Sequence, residues 1–67
     1  MNEMKLYDSK LRHHVATAFG DKIVARYGLE FEIDGYAVVD QHGDVVGTFG
    51  EGKFYNLSGE LMAVSET

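Results

Sequence analysis

Cysteine is absent from these 67 residues, and so are proline and tryptophan. Without thiols there is no disulfide to staple a small fold, no thiolate cage for a metal and no redox chemistry of the chain's own. Long apolar runs are missing as well. No stretch approaches the roughly 18 residues of a membrane span, and the opening Met1-Asn2-Glu3-Met4-Lys5 leads into no signal-peptide core. A soluble cytoplasmic protein with no membrane partner is expected.

Basic residues are scarce after the first third of the chain. Residues 1–27 carry five cations (Lys5, Lys10, Arg12, Lys22, Arg26) against three acids, a net of +2. The remainder has Lys53 alone against eight acids, a net of −7. Such a block repels phosphate backbones and favours basic partners. The cations of the first segment are interrupted by acids and form no stripe with aromatics, so nucleic-acid binding is not expected.

Catalytic signatures are also lacking. There is no Gly-x-Ser-x-Gly elbow and no Walker-type loop, and Gly47-x-x-Gly50-x-Gly52 does not precede a helix. A chain this short has little room for a pocket of roughly 300–1,000 Å3 beside a core. The expectation is no enzyme and no cofactor. His13-His14 are adjacent and so cannot clamp a metal as an i, i+4 pair would. Asp40-Gln41-His42-Gly43-Asp44 lacks the alternating acids and closing Glu of a calcium loop, leaving Asp40, Asp44 and Glu60 as solvated turn acids.

What is present suits one small globular domain over 1–67. Hydrophobic residues make up 45 % of the chain, enough to fold, although a chain of this size buries only roughly 60 % of its unfolded surface. Up to Tyr27 the apolar residues recur three or four apart: Met4, Tyr7, Leu11, Val15, Ala18, Phe19, Ile23, Tyr27. That spacing predicts an amphipathic helix over 1–27, stopped by Gly28 and broken or kinked at Gly20-Asp21. Residues 22–33 also alternate, which is a competing strand pattern.

After Gly28 the chain reads as an antiparallel meander over 28–64. Five short strands, Leu29–Ile33, Tyr36–Val39, Val45–Phe49, Phe54–Leu57 and Leu61–Val64, are separated by turn residues including Asp34-Gly35, His42-Gly43, Gly50-Glu51-Gly52 and Ser58-Gly59. The predicted class is therefore α+β, a helix packed on a four- to five-stranded sheet. Residues 38–47 echo residues 54–63 position by position: two apolar, Asx, two others, Gly, acid, two apolar, small. Convergent hairpin chemistry accounts for two copies, and a solenoid needs at least three.

Pairing through these turns places Phe31, Ile33, Tyr36, Val38, Val45, Phe49, Phe54, Leu61 and Ala63 on the core face. The other face holds Glu30 and Glu32 and an apolar band of Val39, Val46, Tyr55 and Met62. Left bare, such a band would exceed what monomers usually expose. The second helical segment, curling of the sheet into a small barrel, or another chain would cover it. The band, rimmed by Glu30, Glu32, Asp40, Asp44 and Glu60, gives the expected function. It is a non-enzymatic binding protein docking on a protein with a basic surface, by analogy of size and charge a phage or mobile-element inhibitor of anti-CRISPR or anti-restriction type. The alternatives are a homodimeric accessory module joined through the outer face, and a nucleic-acid binder acting through Lys10 and Arg12.

Overall fold

Alternation of period two runs through the whole chain, the first 27 residues included. The structure, a computed structural model, describes residues 3–65. Its strands are β1 (Glu3–Asp8), β2 (His14–Phe19), β3 (Lys22–Ala25), β4 (Glu30–Asp34), β5 (Ala37–Val39), β6 (Val45–Gly50), β7 (Lys53–Asn56) and β8 (Leu61–Ser65), with one 3-10 turn at Arg26–Gly28. Each strand pairs antiparallel with the next. β8 then returns to β1 through Leu6↔Ser65, Tyr7↔Val64 and Asp8↔Ala63, closing an eight-stranded barrel. Closure pairs the two outer strands over Leu6–Asp8 and Ala63–Ser65 and so covers that stretch of edge, which would otherwise template aggregation.

The α+β expectation is thereby corrected to all-β, because the described residues 3–27 form three strands, ending in a 3-10 turn, and no α-helix. The reason lies in a bulge. Leu6 pairs with Ala16 but Tyr7 pairs with His14, so Val15 is an extra residue on β2. Val15 and Ala16 both meet the interior, and that doubled step turns a spacing of two into the apparent three-or-four spacing of a helix. Gly20-Asp21, read as a helix break, is the tight turn joining β2 to β3, with Gly20 at φ 61°. The competing strand pattern was the right one for Ile23, Ala25, Phe31 and Ile33, which all meet the interior.

The five strands read after Gly28 coincide with β4–β8 to within about two residues at each end. Their facing needs correction at three points. The first hairpin turns on Gly35-Tyr36, with Asp34 opposite Ala37 and Ile33 opposite Val38, so Tyr36 is an exposed turn residue. In β5–β6, Val38 faces Gly47 but Val39 faces Val45, making Val46 the extra residue. In β7–β8, Phe54 faces Ala63 but Tyr55 faces Leu61, making Met62 the extra residue. Each bulge brings its residue to the cavity, Val46 half-buried and Met62 still partly exposed, and leaves the preceding one, Val45 or Leu61, exposed.

These bulges follow a shared loop. Asp40 Oδ1 accepts from the N–H groups of His42 (2.8 Å) and Asp44 (2.9 Å), and Asn56 Oδ1 accepts from those of Ser58 (2.9 Å) and Glu60 (3.0 Å). Backbone bonds Gly43 N–H to Asp40 O and Gly59 N–H to Asn56 O close the turns, with both glycines at positive φ. The β1–β2 loop is a third copy with one residue more. Asp8 Oδ2 accepts from Lys10 (3.0 Å) and Leu11 (2.6 Å), Arg12 N–H donates to Asp8 O, and Arg12 takes the left-handed position at φ 65°. The extra residue and the Arg in place of Gly hide this copy in the sequence.

Leu6, Ala18, Ile23, Val38 and Ala63 are the buried core, with Phe31, Ile33, Phe49 and Phe54 packed against them. Gly47 lies directly under the Phe54 ring.

Candidate functional site

Four hairpins, β1–β2, β3–β4, β5–β6 and β7–β8, point to one end of the barrel, and three of them carry the bulges. At this end the lumen opens into a cavity of about 410 Å3. Its wall is Leu6, Val15, Ala16, Ile23, Ala25, Phe31, Val38, Val46, Phe54, Met62 and Ala63, with Asp8 the one polar residue. Eight strands make a barrel just wide enough to be filled by side chains or to hold one small ligand. Here three of the wall positions are alanine, which leaves space. The expectation that so short a chain has little room for a pocket of this size is therefore corrected.

Asp8 sits at the mouth. Its carboxyl is held below the usual carboxylate range, first by the Leu11 N–H and next by the Lys10 N–H, with His13 and Lys10 adding favourable charge. Asp40 is lowered in the same way, chiefly by the Asp44 N–H and then by that of His42. Both side chains therefore do loop-building work as acceptors, and Asn56 performs the same task without a charge.

The residues expected to bind a partner divide into three groups. Val46 and Met62 belong to the lumen wall, not to the outer face. Val39 and Tyr55 stay half-buried outside the lumen, where their cross-strand neighbours are the exposed Val45 and Leu61. The outer apolar band thus survives with two of its four members exchanged. Glu30, Glu32 and Asp40 are brought together, with Lys22, Phe31 and Gln41, around a second and smaller hollow of about 280 Å3. Lys22 Nζ lies 4.0 Å from Glu30 Oε1 there, between exposed side chains, a pair worth little. Asp44 and Glu60 end adjoining hairpin loops at the mouth, as expected for turn acids. Among the described residues no three His, Asp or Glu side chains form a metal-binding group.

The rim itself was not foreseen. Leu11 (71 % exposed), Tyr27 (94 %) and Leu57 (71 %) project from three of the four hairpin tips. Leu11 and Tyr27 had been placed on the buried stripe of a helix. The signal available was local: Lys10 and Arg12 flank Leu11, and Arg26 precedes Tyr27, neighbours that suit a solvated tip better than a packed helix face.

No protein-family model, curated protein or solved structure matches this chain.

Proposed function

We propose that this chain is a non-enzymatic binding protein that takes an apolar ligand, or the apolar end of a larger one, into the mouth of its barrel. The observation that carries this reading is the apolar cavity of about 410 Å3, open at the bulged end. Ligand sites are concave and mostly apolar with a few polar groups for orientation, and Asp8 is the polar group available here. Bulges are over-represented at barrel rims, where they re-aim side chains, and Val15, Val46 and Met62 are aimed in this way.

Titration with the neutral fluorophore N-phenyl-1-naphthylamine tests it. Wild type gives a saturable, blue-shifted signal at one probe per chain, and Ala16→Leu, which fills the half-buried wall, weakens it by about tenfold or more, the factor for about 1.4 kcal/mol. An equal response from both proteins, each with an intact melting transition, sinks the lumen as the site.

A second reading keeps the basic protein partner. It is favoured by the outer apolar pairs Val39/Val45 and Tyr55/Leu61 on the same barrel as the hollow lined by Glu30, Glu32 and Asp40. Such a complex weakens at high ionic strength and is broken by Tyr55→Glu, with probe uptake in the lumen unchanged. A complex indifferent to both salt and Tyr55→Glu rules this face out.

A further inference from the structure

The rim of the mouth is divided by charge. Because β2 pairs with β3, the β1–β2 and β3–β4 tips adjoin. Residues 9–13 and 26–29 of these tips contain Lys10, Arg12 and Arg26, against the one carboxylate of Asp8 that is bonded into the β1–β2 loop. The tips of β5–β6 and β7–β8 carry Asp44 and Glu60 with no Lys or Arg. Within the basic half stand two exposed apolar side chains of the rim, Tyr27 and Leu11, with Leu29 also exposed beside Tyr27, whereas the acidic half carries one, Leu57.

Two of these positions are held in unusual backbone. Tyr27 has φ 63° and ψ 22°, and Arg12 has φ 65°. A bulky residue in the left-handed region is uncommon and carries strain. At Tyr27 the strain secures no packing, because the side chain is 94 % exposed. The conformation, shared with Gly28 at φ 74°, closes the hairpin turn through the Leu29 N–H to Arg26 O bond, and it leaves the ring standing free at the tip.

We infer that the β1–β2 and β3–β4 tips dock the barrel on an anionic phospholipid bilayer, with Leu11 and Tyr27 entering the interface and Lys10, Arg12 and Arg26 meeting the headgroups. Separate protruding apolar tips have no need of a matching protein pocket if they enter a bilayer, and Tyr rings favour the headgroup level. Lys and Arg near an anionic leaflet each add attraction. The acids opposite repel the same surface, so the chain docks tilted onto its basic half. The apolar lumen opens at this rim, so an acyl chain passes from bilayer to cavity without crossing water. The sequence-based expectation of no membrane partner rested on the missing spanning segment, which docking through hairpin tips does not require.

Flotation of the whole chain at low salt tests the proposal. The vesicles are phosphatidylcholine alone, or phosphatidylcholine with phosphatidylserine at about 3:1 as an anionic surface. The chain floats with the mixed vesicles and not with phosphatidylcholine alone. Lys10→Gln with Arg12→Gln lowers partitioning about 25-fold, or about fivefold per cation. Leu11→Asn with Tyr27→Asn also releases the chain and leaves its melting transition in place, since both side chains are exposed and Asn accepts the left-handed backbone. Absence of flotation with mixed vesicles overturns the proposal, as does flotation unchanged by the paired Gln substitutions. If duplex DNA or RNA shifts instead, and the Gln variants lose that shift, the cations serve nucleic acid and the lipid assignment is wrong. Flotation of a wild type that takes up no naphthylamine probe supports docking while removing the lumen reading, so the two stand or fall separately.

Discussion

Gly47→Ala is expected to leave the chain without a cooperative unfolding transition at room temperature. A methyl group at position 47 runs into the Tyr55 carbonyl oxygen and comes within 2.8 Å of two carbons of the Phe54 ring. The ring alone can turn aside at the usual overpacking cost of about 1–3 kcal/mol. The carbonyl belongs to the β6–β7 ladder, in which Gly47 faces Asn56 and Thr48 faces Tyr55, so moving it breaks the pairing. A chain of this size without disulfide or metal rarely has more than about 3–5 kcal/mol to lose. Gly43→Ala provides the control, because it has open space around the added carbon and only its positive φ of 87° as a penalty, about 1–2 kcal/mol. Thermal melts followed by far-ultraviolet circular dichroism decide the matter. Equal losses in the two variants would show that close approach at Gly47 is not the constraint.

Leu6→Ala is expected to destabilise by about 2–5 kcal/mol, again most or all of the stability of such a chain. Leu6 is 2 % exposed and sits where the barrel closes, paired with Ala16 on one side and Ser65 on the other. Its loss removes buried methyl groups and enlarges a cavity that is already present on its lumen side. The surrounding wall has little with which to collapse, because Ala16, Ala25 and Ala63 share the same space. Leu6→Met keeps the volume and costs less than about 1.5 kcal/mol. Urea melts of the three proteins, compared at constant slope, test this. A Leu6→Ala loss under about 1 kcal/mol, below the range for buried leucine, would mean that closure does not depend on the residue.

The turn chemistry of this protein was legible because it is local. Asp40 and Asn56, each followed three residues later by Gly, organise their loops through bonds spanning at most four residues, and both hairpins lie where the residues indicate. The acids at positions 34, 40, 44, 51 and 60 were correctly located at or beside turns for the same reason. The β1–β2 loop repeats the device with one residue inserted and Arg12 replacing Gly, which erased the pattern although the hydrogen bonds survived.

Facing was not legible. With strands of only three to six residues, one inserted residue puts two successive side chains on the same side and reverses those between it and the turn. The bulges at Val15, Val46 and Met62 did this three times, exchanging the lumen for the outer surface at Val46 and Met62 and imitating a helical period near Val15. The candidate site suffered most from this, since Val46 and Met62 were expected to face a partner and instead line a cavity.

The sequence by itself determined that this is a small, acidic, thiol-free chain whose second half is a meander of hairpins with acidic turns. Composition and local hydrogen bonding suffice for those properties. The tertiary structure alone decided that residues 3–25 form three strands, that β1 meets β8, and that the small residues gathered by closure leave an open apolar lumen with a basic, apolar half-rim. Pairing of Leu6 with Ser65 joins opposite ends of the chain. No local pattern encodes such a contact, and its consequence, a cavity, is a property of the space between strands and not of any one of them.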